Sequence, residues 1–211
     1  ANNSFSPEQM NGYEAGYRQL AGTKVLVDVA AFYNHYHNLL DQEYAGALSL
    51  ETDPEPPHYI IPARLGNGLY GYTKGFEIAP EWRPTSMWRL RGSYSFLHMN
   101  IGPSPGSGDQ NTSPGIVGSS PAHEVSARSS LDISKVLQLD LSYRYVSALP
   151  GQATPAYSTG DVRFSWKPKR DLEVEIVGNN LFQPAHSEYA ESPGSLVGIR
   201  RSGFLRLTWS H

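Results

Sequence analysis

The sequence runs LQLDLSYRY from Leu137 to Tyr145, and every second residue of this stretch is apolar. Successive side chains of a β-strand point to opposite faces, so this alternation puts leucines and tyrosines on one face and Asp140 and Arg144 on the other. The stretch therefore predicts a strand that has one apolar face and one charged face.

The same period of two residues recurs along most of the chain. It is clear from Trp88 to Phe96, from Asp161 to Lys167 and from Leu172 to Ile176, and it is less regular from Val25 to Tyr33. Weaker strand patterns cover Gly12 to Leu20, Tyr70 to Trp82, Glu124 to Ile133 and Ser202 to His211. Together with 13 Tyr, 20 Gly and 16 Pro, which favour strands and turns, these patterns predict an all-β fold of about nine strands.

Composition excludes several other classes of protein. No run approaches the roughly 18 apolar residues of a membrane-spanning helix. The mean hydropathy of -0.44 is compatible with a transmembrane β-barrel, because alternating strands average out to the hydropathy of a soluble protein. A net charge of -3 gives no basic surface for nucleic acid, and with 0 Cys neither a disulfide framework nor a thiol nucleophile is possible.

The predicted connections between strands alternate in length. The short ones are Ala21 to Thr23, Arg83 to Ser86, Ser134 to Lys135 and Pro168 to Asp171. The long polar ones are Leu39 to Leu69, Ile101 to Ala122, Ser147 to Ser158 and Gln183 to Ile199. Short turns on one side and long loops on the other are typical of a bacterial outer-membrane barrel, so the sequence predicts an antiparallel transmembrane β-barrel.

Aromatic and charged residues agree with a barrel wall. The aromatic residues near predicted strand ends are Trp82, Trp88, Trp166, Tyr143, Tyr145, Tyr33 and Tyr36, as two membrane-interface girdles would require. Cross-strand packing of aromatic residues in a soluble β protein is the alternative. On the inner face we expect ion pairs of Glu77 and Glu81 with Arg89 and Arg91, and of Arg163 and Lys167 with Glu173 and Glu175.

Four stretches and their order resemble a known family. They are PEQMNGYEAGYR from Pro7 to Arg18, AFYN from Ala31 to Asn34, VGNNLF from Val177 to Phe182, and Arg200 to Ser202 opening a last strand that reaches Trp209. This order resembles the C-terminal barrel of TonB-dependent outer-membrane receptors. The resemblance implies that residues 1–211 are the C-terminal portion of a 22-stranded barrel, with about nine strands present and the plug domain absent.

The resemblance also implies a function, a location and partners. The family imports scarce ligands, often ferric siderophores, across the bacterial outer membrane with energy transmitted by TonB. The expected partners are outer-membrane lipid, the TonB complex through the missing N-terminal plug, and a small-molecule ligand such as a ferric chelate; no cofactor is expected. The N-terminal residues lack a secretory signal, so we expect either a mature chain or a lost start.

Five residues are candidates for ligand contacts at the outer loops. His35 and His37 share one side of a strand, so their imidazoles can contact a ferric ligand. Because no third ligand is fixed by nearby spacing, no metal site is predicted, and a polar strand end above the membrane surface is the alternative. His58, Tyr59 and Arg64 lie in the longest predicted loop and can reach a ligand.

The remaining motifs do not support catalysis, and we expect the protein not to be an enzyme. GNGLYG from Gly66 to Gly71 matches a dinucleotide-binding pattern, but a strand rather than a helix follows it. The carboxylates of Asp140, Glu173 and Glu175 have arginines nearby, and no serine lies in a G-x-S-x-G elbow. Two other functions stay open: a small self-contained porin or structural barrel, and a soluble glycan-binding β-sandwich.

Overall fold

The computed structural model describes residues 5–109, 112–190 and 197–210. Its strands are β1 Gln9–Ala21, β2 Val25–Tyr44, β3 Ser49–Glu51, β4 His58–Ile60, β5 Ala63–Thr85, β6 Trp88–Pro103, β7 His123–Asp132, β8 Leu137–Val146, β9 Tyr157–Lys169, β10 Leu172–Asn179, β11 Ala185–Ser187, β12 Gly198–Arg200 and β13 Ser202–Trp209. Residues 1–4, to which the expectation about a signal peptide refers, and His211, the predicted end of the last strand, lie outside the described residues.

The nine long strands form one antiparallel sheet in the order β1-β2-β5-β6-β7-β8-β9-β10-β13. Each pairs with the next long strand along the chain, and β3–β4 and β11–β12 are separate two-stranded hairpins. The predicted nine strands and all-β class are therefore confirmed. A two-layer sandwich would divide these strands between two facing sheets, whereas here they form one continuous wall.

Several strands are longer than the sequence pattern predicts. β2 continues to Tyr44 and β5 begins at Ala63, so the long loop predicted from Leu39 to Leu69 is mostly strand and hairpin. In the same way, β5 and β9 continue into the short turns predicted at 83–86 and 168–171. The alternation of apolar and polar residues is weaker in these strand extensions. Backbone hydrogen bonds stabilise them, and they do not need one apolar face. The register shifts between Tyr36 and Asp41 mark where the regular ladder is interrupted before it continues to Tyr44.

The long connections carry small elements of their own. A six-residue helix, α1 Thr112–Val117, follows β6. The Asp109 carboxylate accepts hydrogen bonds from the N–H groups of Thr112 at 3.0 Å and Ser113 at 3.1 Å, which satisfies donors that a helix start leaves free. Burial alone would raise the pKa of Asp109, but these bonds outweigh it and lower the pKa. No helix among the described residues is long and apolar enough to span a membrane.

Burial in the sheet is the reverse of that in a water-soluble protein. The polar side chains of Asp140, Ser165 and Glu175 are buried, whereas Leu205 and Leu207 are 68% and 66% exposed. The strand register explains this: directly paired residues share a face, so most apolar residues of β8, β9, β10 and β13 lie on one side of the sheet, with Val177 and Phe204 as exceptions. A transmembrane barrel has this arrangement, with its apolar side toward lipid and its polar side toward the lumen.

Candidate functional site

The inner face of β8, β9, β10 and β13 carries a connected set of ion pairs centred on Arg163. Its guanidinium donates to Asp140 Oδ2 at 2.8 Å, to Glu175 Oε1 at 2.6 Å and to Glu173 Oε1 at 3.2 Å. Arg206 reaches the other oxygen of Glu175 at 3.1 Å. The cross-strand pairs predicted for Arg163 are thus confirmed, and they tie four adjacent strands together along the inner wall.

A second group of ion pairs lies near the short turns, around Glu81. Its carboxylate lies 2.6 Å from Arg83 Nε, 2.9 Å from Arg91 Nε and 3.9 Å from Arg89 Nε.

The predicted ion pair between Lys167 and Glu173 is also confirmed. The Lys167 ammonium lies 3.4 Å from a carboxylate oxygen of Glu173.

The prediction for Glu77 was wrong. Its cross-strand neighbours are Ala30 and Ser95, and no described residue forms an ion pair with it. Glu81, four residues further along β5, lies directly across from Arg91 and is the carboxylate that meets the arginines.

At the long-loop end of the inner face, a cleft of about 600 Å³ opens between β7, β8, β9 and the β11–β12 hairpin. Asn180 forms its base with a positive φ of 54°, a conformation that asparagine tolerates better than most residues. Its N–H donates to Asp161 Oδ1 at 2.9 Å, and its side-chain amide donates to the Ile199 carbonyl at 2.8 Å. Asn180 therefore ties the end of β10 to β9 and β12.

His186 fills the centre of this cleft wall and is 8% exposed. Its ring stacks on Tyr157 with 4.2 Å between centroids, its Nδ1 lies 3.1 Å from Asn180 Oδ1, and its Nε2 lies 3.1 Å from Glu188 Oε1. Arg144 contacts Glu188 and lies over the Tyr157 ring. Burial alone would raise the pKa of Glu188, but the bond from His186 and the charge of Arg144 lower it.

Sequence reasoning missed this cluster. The stretch VGNNLF carries part of the family resemblance, and its asparagine pair at the end of a strand is also a signal for a residue with positive φ. No signal of that kind exists for His186, because its main ring contact, Tyr157, lies on a different strand and far away in the chain. The arrangement offers hydrogen-bond donors and acceptors, together with a guanidinium, to a polar ligand that enters from the loop side.

The five predicted ligand contacts fall into three separate places. His35 and His37 contact each other edge to face, with ring centroids 4.2 Å apart. His58 Nε2 lies 3.1 Å from Glu51 in the β3–β4 hairpin, next to Tyr59, which is 67% exposed.

Arg64, in contrast, pairs with Glu43 at 2.7 Å. No hydrogen bond, ion pair or ring contact among the described residues joins the three places. Within the same residues, no three His, Cys, Asp or Glu side chains lie close enough to hold a metal ion.

The glycine-rich stretch from Gly66 to Gly71 has a structural explanation. The Asp41 carboxylate is fully buried against it, and a Cβ added at Gly68 would lie 2.2 Å from Asp41 Oδ2. A Cβ at Gly71 would lie 2.1 Å from the backbone oxygen of Asn100. Ser107 Oγ donates to Asp41 Oδ2 at 2.8 Å, whereas no described residue forms a hydrogen bond with Oδ1. Close backbone approach, rather than nucleotide binding, accounts for these glycines.

Comparison with known families decides between the remaining classes. A model of the TonB dependent receptor-like β-barrel matches residues 1–181. The chain belongs to the TonB-dependent receptor β-barrel family. This family consists of outer-membrane transport receptors rather than enzymes, and the resemblance drawn from the four sequence stretches is confirmed. No curated protein sequence matches the chain.

Solved TonB-dependent receptors share the fold of this chain at low identity. The closed form of the ferric-catecholate import receptor Fiu of E. coli K12 is 20% identical, with a TM-score of 0.65 over 97% of this chain and 27% of that one. The FrpB iron transporter of Neisseria meningitidis is 16% identical, with a TM-score of 0.71 over 99% and 32%. The copper transporter OprC is 11% identical, with a TM-score of 0.66 over 99% and 32%. The chain thus spans about a third or less of the length of these receptors.

Proposed function

We propose that this chain forms part of the barrel wall of an outer-membrane receptor that binds and imports a scarce ligand with energy transmitted by TonB. In this proposal residues 1–211 are the C-terminal portion of a 22-stranded barrel, and the remaining wall and the plug belong to the rest of the receptor. Two observations support it: the chain spans about a third of solved receptors, and within the described residues β1 and β13 each pair with a single long strand. An unpaired strand edge is not tolerated in lipid, so further strands must cover both edges.

The observation that carries the proposal is the inverted burial of the sheet. The carboxylates of Asp140 and Glu175, which pair with Arg163 and Arg206, are buried on one face, while leucines on the other face stay exposed. An Arg or Lys side chain facing lipid at the midplane costs about 2–4 kcal/mol, so such a sheet fits a membrane with its charged face turned to a lumen. The polar face then lines the route along which a ligand and the plug move.

A ferric siderophore is the ligand class that the related structures favour. Fiu is a ferric-catecholate import receptor and PirA of Acinetobacter baumannii is a siderophore receptor, whereas OprC is a copper transporter. In this chain the cleft beside Arg144 and His186 offers charge-assisted hydrogen bonds to an anionic chelate. The predicted outer-loop contacts His58, Tyr59 and Arg64 are proposed to meet the ligand before it reaches this cleft.

Uptake of radioactive iron tests the proposal. Cells that express the complete receptor and cells that lack it are compared for uptake of iron from a ferric catecholate and from a ferric hydroxamate, with free copper as a second substrate. We expect at least a tenfold loss of uptake of one ferric chelate without the receptor, and the same loss after a proton uncoupler or deletion of TonB. Uptake that survives the uncoupler would support a passive porin, and uptake of copper alone would overturn the siderophore class.

A further inference from the structure

Several side chains with nitrogen donors lie on the outward, apolar face of the described sheet, toward the long loops. Lys74 lies directly opposite His98 on the neighbouring strand, and on its other side it lies opposite Tyr33, which shares the outward face with His35. His123 lies opposite Phe96, two residues from His98 and therefore on the same face. We call His35, Lys74, His98 and His123 the outer basic belt.

The outer basic belt lies at one level of the wall. Each member is about eight to ten residues from an outward-facing residue near the short turns of its own strand, which at about 3.3 Å per residue is ~26–33 Å of strand. The pairs are His35 with Val25, Lys74 with Trp82, His98 with Trp88, and His123 with Leu131. With a strand tilt of about 45°, this distance corresponds to ~19–23 Å along the membrane normal, close to the height of about 25 Å of a barrel's apolar band.

Aromatic rings surround the belt. The Lys74 ammonium lies 5.7 Å from the centroid of the Tyr72 ring, and this ring lies 6.0 Å from that of His98. The hydroxyl of Tyr94 lies 2.9 Å from His123 Nδ1. Tyrosine is the residue type that sits at the boundary between the apolar band and the headgroups, so these contacts place the belt at that boundary.

Lys74 supplies a permanent positive charge to the belt, and this charge has no ion-pair partner in the described parts of the chain. Lys74 is exposed and forms no ion pair within residues 5–109, 112–190 and 197–210. On the inner face, in contrast, Arg163 contacts three carboxylates. An unpaired cation at the edge of an apolar band is costly, and anionic headgroups relieve that cost.

We propose that the outer basic belt binds phosphate groups of lipid headgroups in the outer leaflet. This inference rests on the proposed outer-membrane location but does not depend on which ligand is imported. An ammonium group and imidazole N–H groups suit phosphate oxygens as donors. The belt covers only part of the described sheet. On β8 and β9 the outward residues near the long loops are Tyr145 and Ser158, which lie across from each other and are not basic.

Native mass spectrometry of the complete detergent-purified receptor tests this proposal. The probes are a bisphosphorylated lipid A and the same lipid after removal of both phosphates. We expect the wild-type receptor to bind the phosphorylated lipid about tenfold more tightly, and the variant with His35→Gln, Lys74→Gln, His98→Gln and His123→Gln to lose this preference. Lys135→Gln, which removes an exposed lysine from a short turn, is the matched control and should keep the preference.

Folding of each variant is checked by its shift in gel mobility on heating. If the fourfold variant does not fold, Lys74→Gln alone should reduce the preference about threefold. Equal binding of both lipids by the wild type, or a preference that persists in the folded variants, overturns the proposal. Ligand uptake by the wild-type receptor separates the two hypotheses: a clear lipid preference without TonB-dependent uptake contradicts only the proposed import, and uptake without a lipid preference contradicts only the belt.

Discussion

Asp140 and Leu141 are neighbours on β8, yet the charged residue is 8% exposed and the apolar residue is 46% exposed. In a water-soluble protein the two values would be reversed. Asp140 is buried because Ser130 donates to it at 2.6 Å and Arg163 at 2.8 Å, so its charge is fully engaged on the inner face. Leu141 stays about half exposed, since the outward face of the sheet meets lipid in the proposed barrel.

The difference shows that two separate requirements act on one strand. The outward face must exclude charge, whereas the inner face must pair the charges that it contains. The exclusion of charge from the outward face depends on the surrounding lipid. The pairing of charges on the inner face depends on the neighbouring strands. Substitutions that move charge between the two faces, or remove one partner on the inner face, therefore test the comparison directly.

The largest expected effect comes from charge on the outward face. Leu141→Arg should lower the free energy of unfolding by about 2–4 kcal/mol, because the guanidinium would face lipid near the middle of the strand. Ser142→Arg is the matched control, since it points inward toward Asp161 and should change stability by less than about 1 kcal/mol. Urea unfolding of the receptor in lipid vesicles measures both. Equal effects at the two positions would show that the faces are not distinguished by lipid.

A smaller effect is expected from breaking the inner network at its centre. Arg163→Gln leaves Asp140 and Glu175 without their shared partner and should cost about 2 kcal/mol of unfolding free energy. Arg206→Gln removes an arginine that is more exposed and has one carboxylate partner, so its cost should stay below about 1 kcal/mol. The same unfolding experiment checks the order, which would be wrong if Arg206→Gln cost as much as Arg163→Gln.

The sequence predicts the outward face better than the inner one. Alternation from Leu137 to Tyr145 assigns each side chain to its face, because a period of two is a local property of a strand. Pairing across a short turn is also nearly local, which is why contacts of Glu173 with Arg163 and Lys167 follow from the sequence. Glu77 shows the limit of this local prediction. It lies across from Ser95, whereas Glu81, four residues further along β5, lies across from Arg91.

The long-loop end is determined by contacts that no local pattern encodes. Asp41 is buried by residues from the stretch around Gly68 and by Ser107, which lie far away in the chain. His186 is likewise held by Tyr157 and Asn180. Sequence patterns therefore identified candidates such as His58 in this region, but only the three-dimensional structure shows which side chains come together.

Asn180→Ala extends the comparison to this end of the inner face. The substitution removes the amide that donates to the Ile199 carbonyl and accepts from Thr159 Oγ1, and it puts alanine at a positive φ. We expect a loss of about 1–2 kcal/mol of unfolding free energy. Asn179→Ala is the control. The Asn179 side chain makes one long contact of 3.5 Å, with Ser202, so its removal should have little effect. A comparable loss in both variants would contradict a specific role for Asn180.

The smallest expected effect concerns Glu188 and depends on pH. Because the pKa of Glu188 is lowered in the folded state, its ionised form stabilises the fold above the ordinary pKa, and this contribution is lost as the pH falls through the lowered value. Glu188→Gln should therefore reduce the free energy of unfolding at pH 7 by less than about 1 kcal/mol, as expected for a partly exposed ion pair. The difference from wild type should shrink as the pH is lowered below about 4. If the Glu188 difference stayed constant down to pH 3, its contacts with Arg144 and His186 would not depend on its charge, and the inner face at the loops would be held by packing rather than by paired charges.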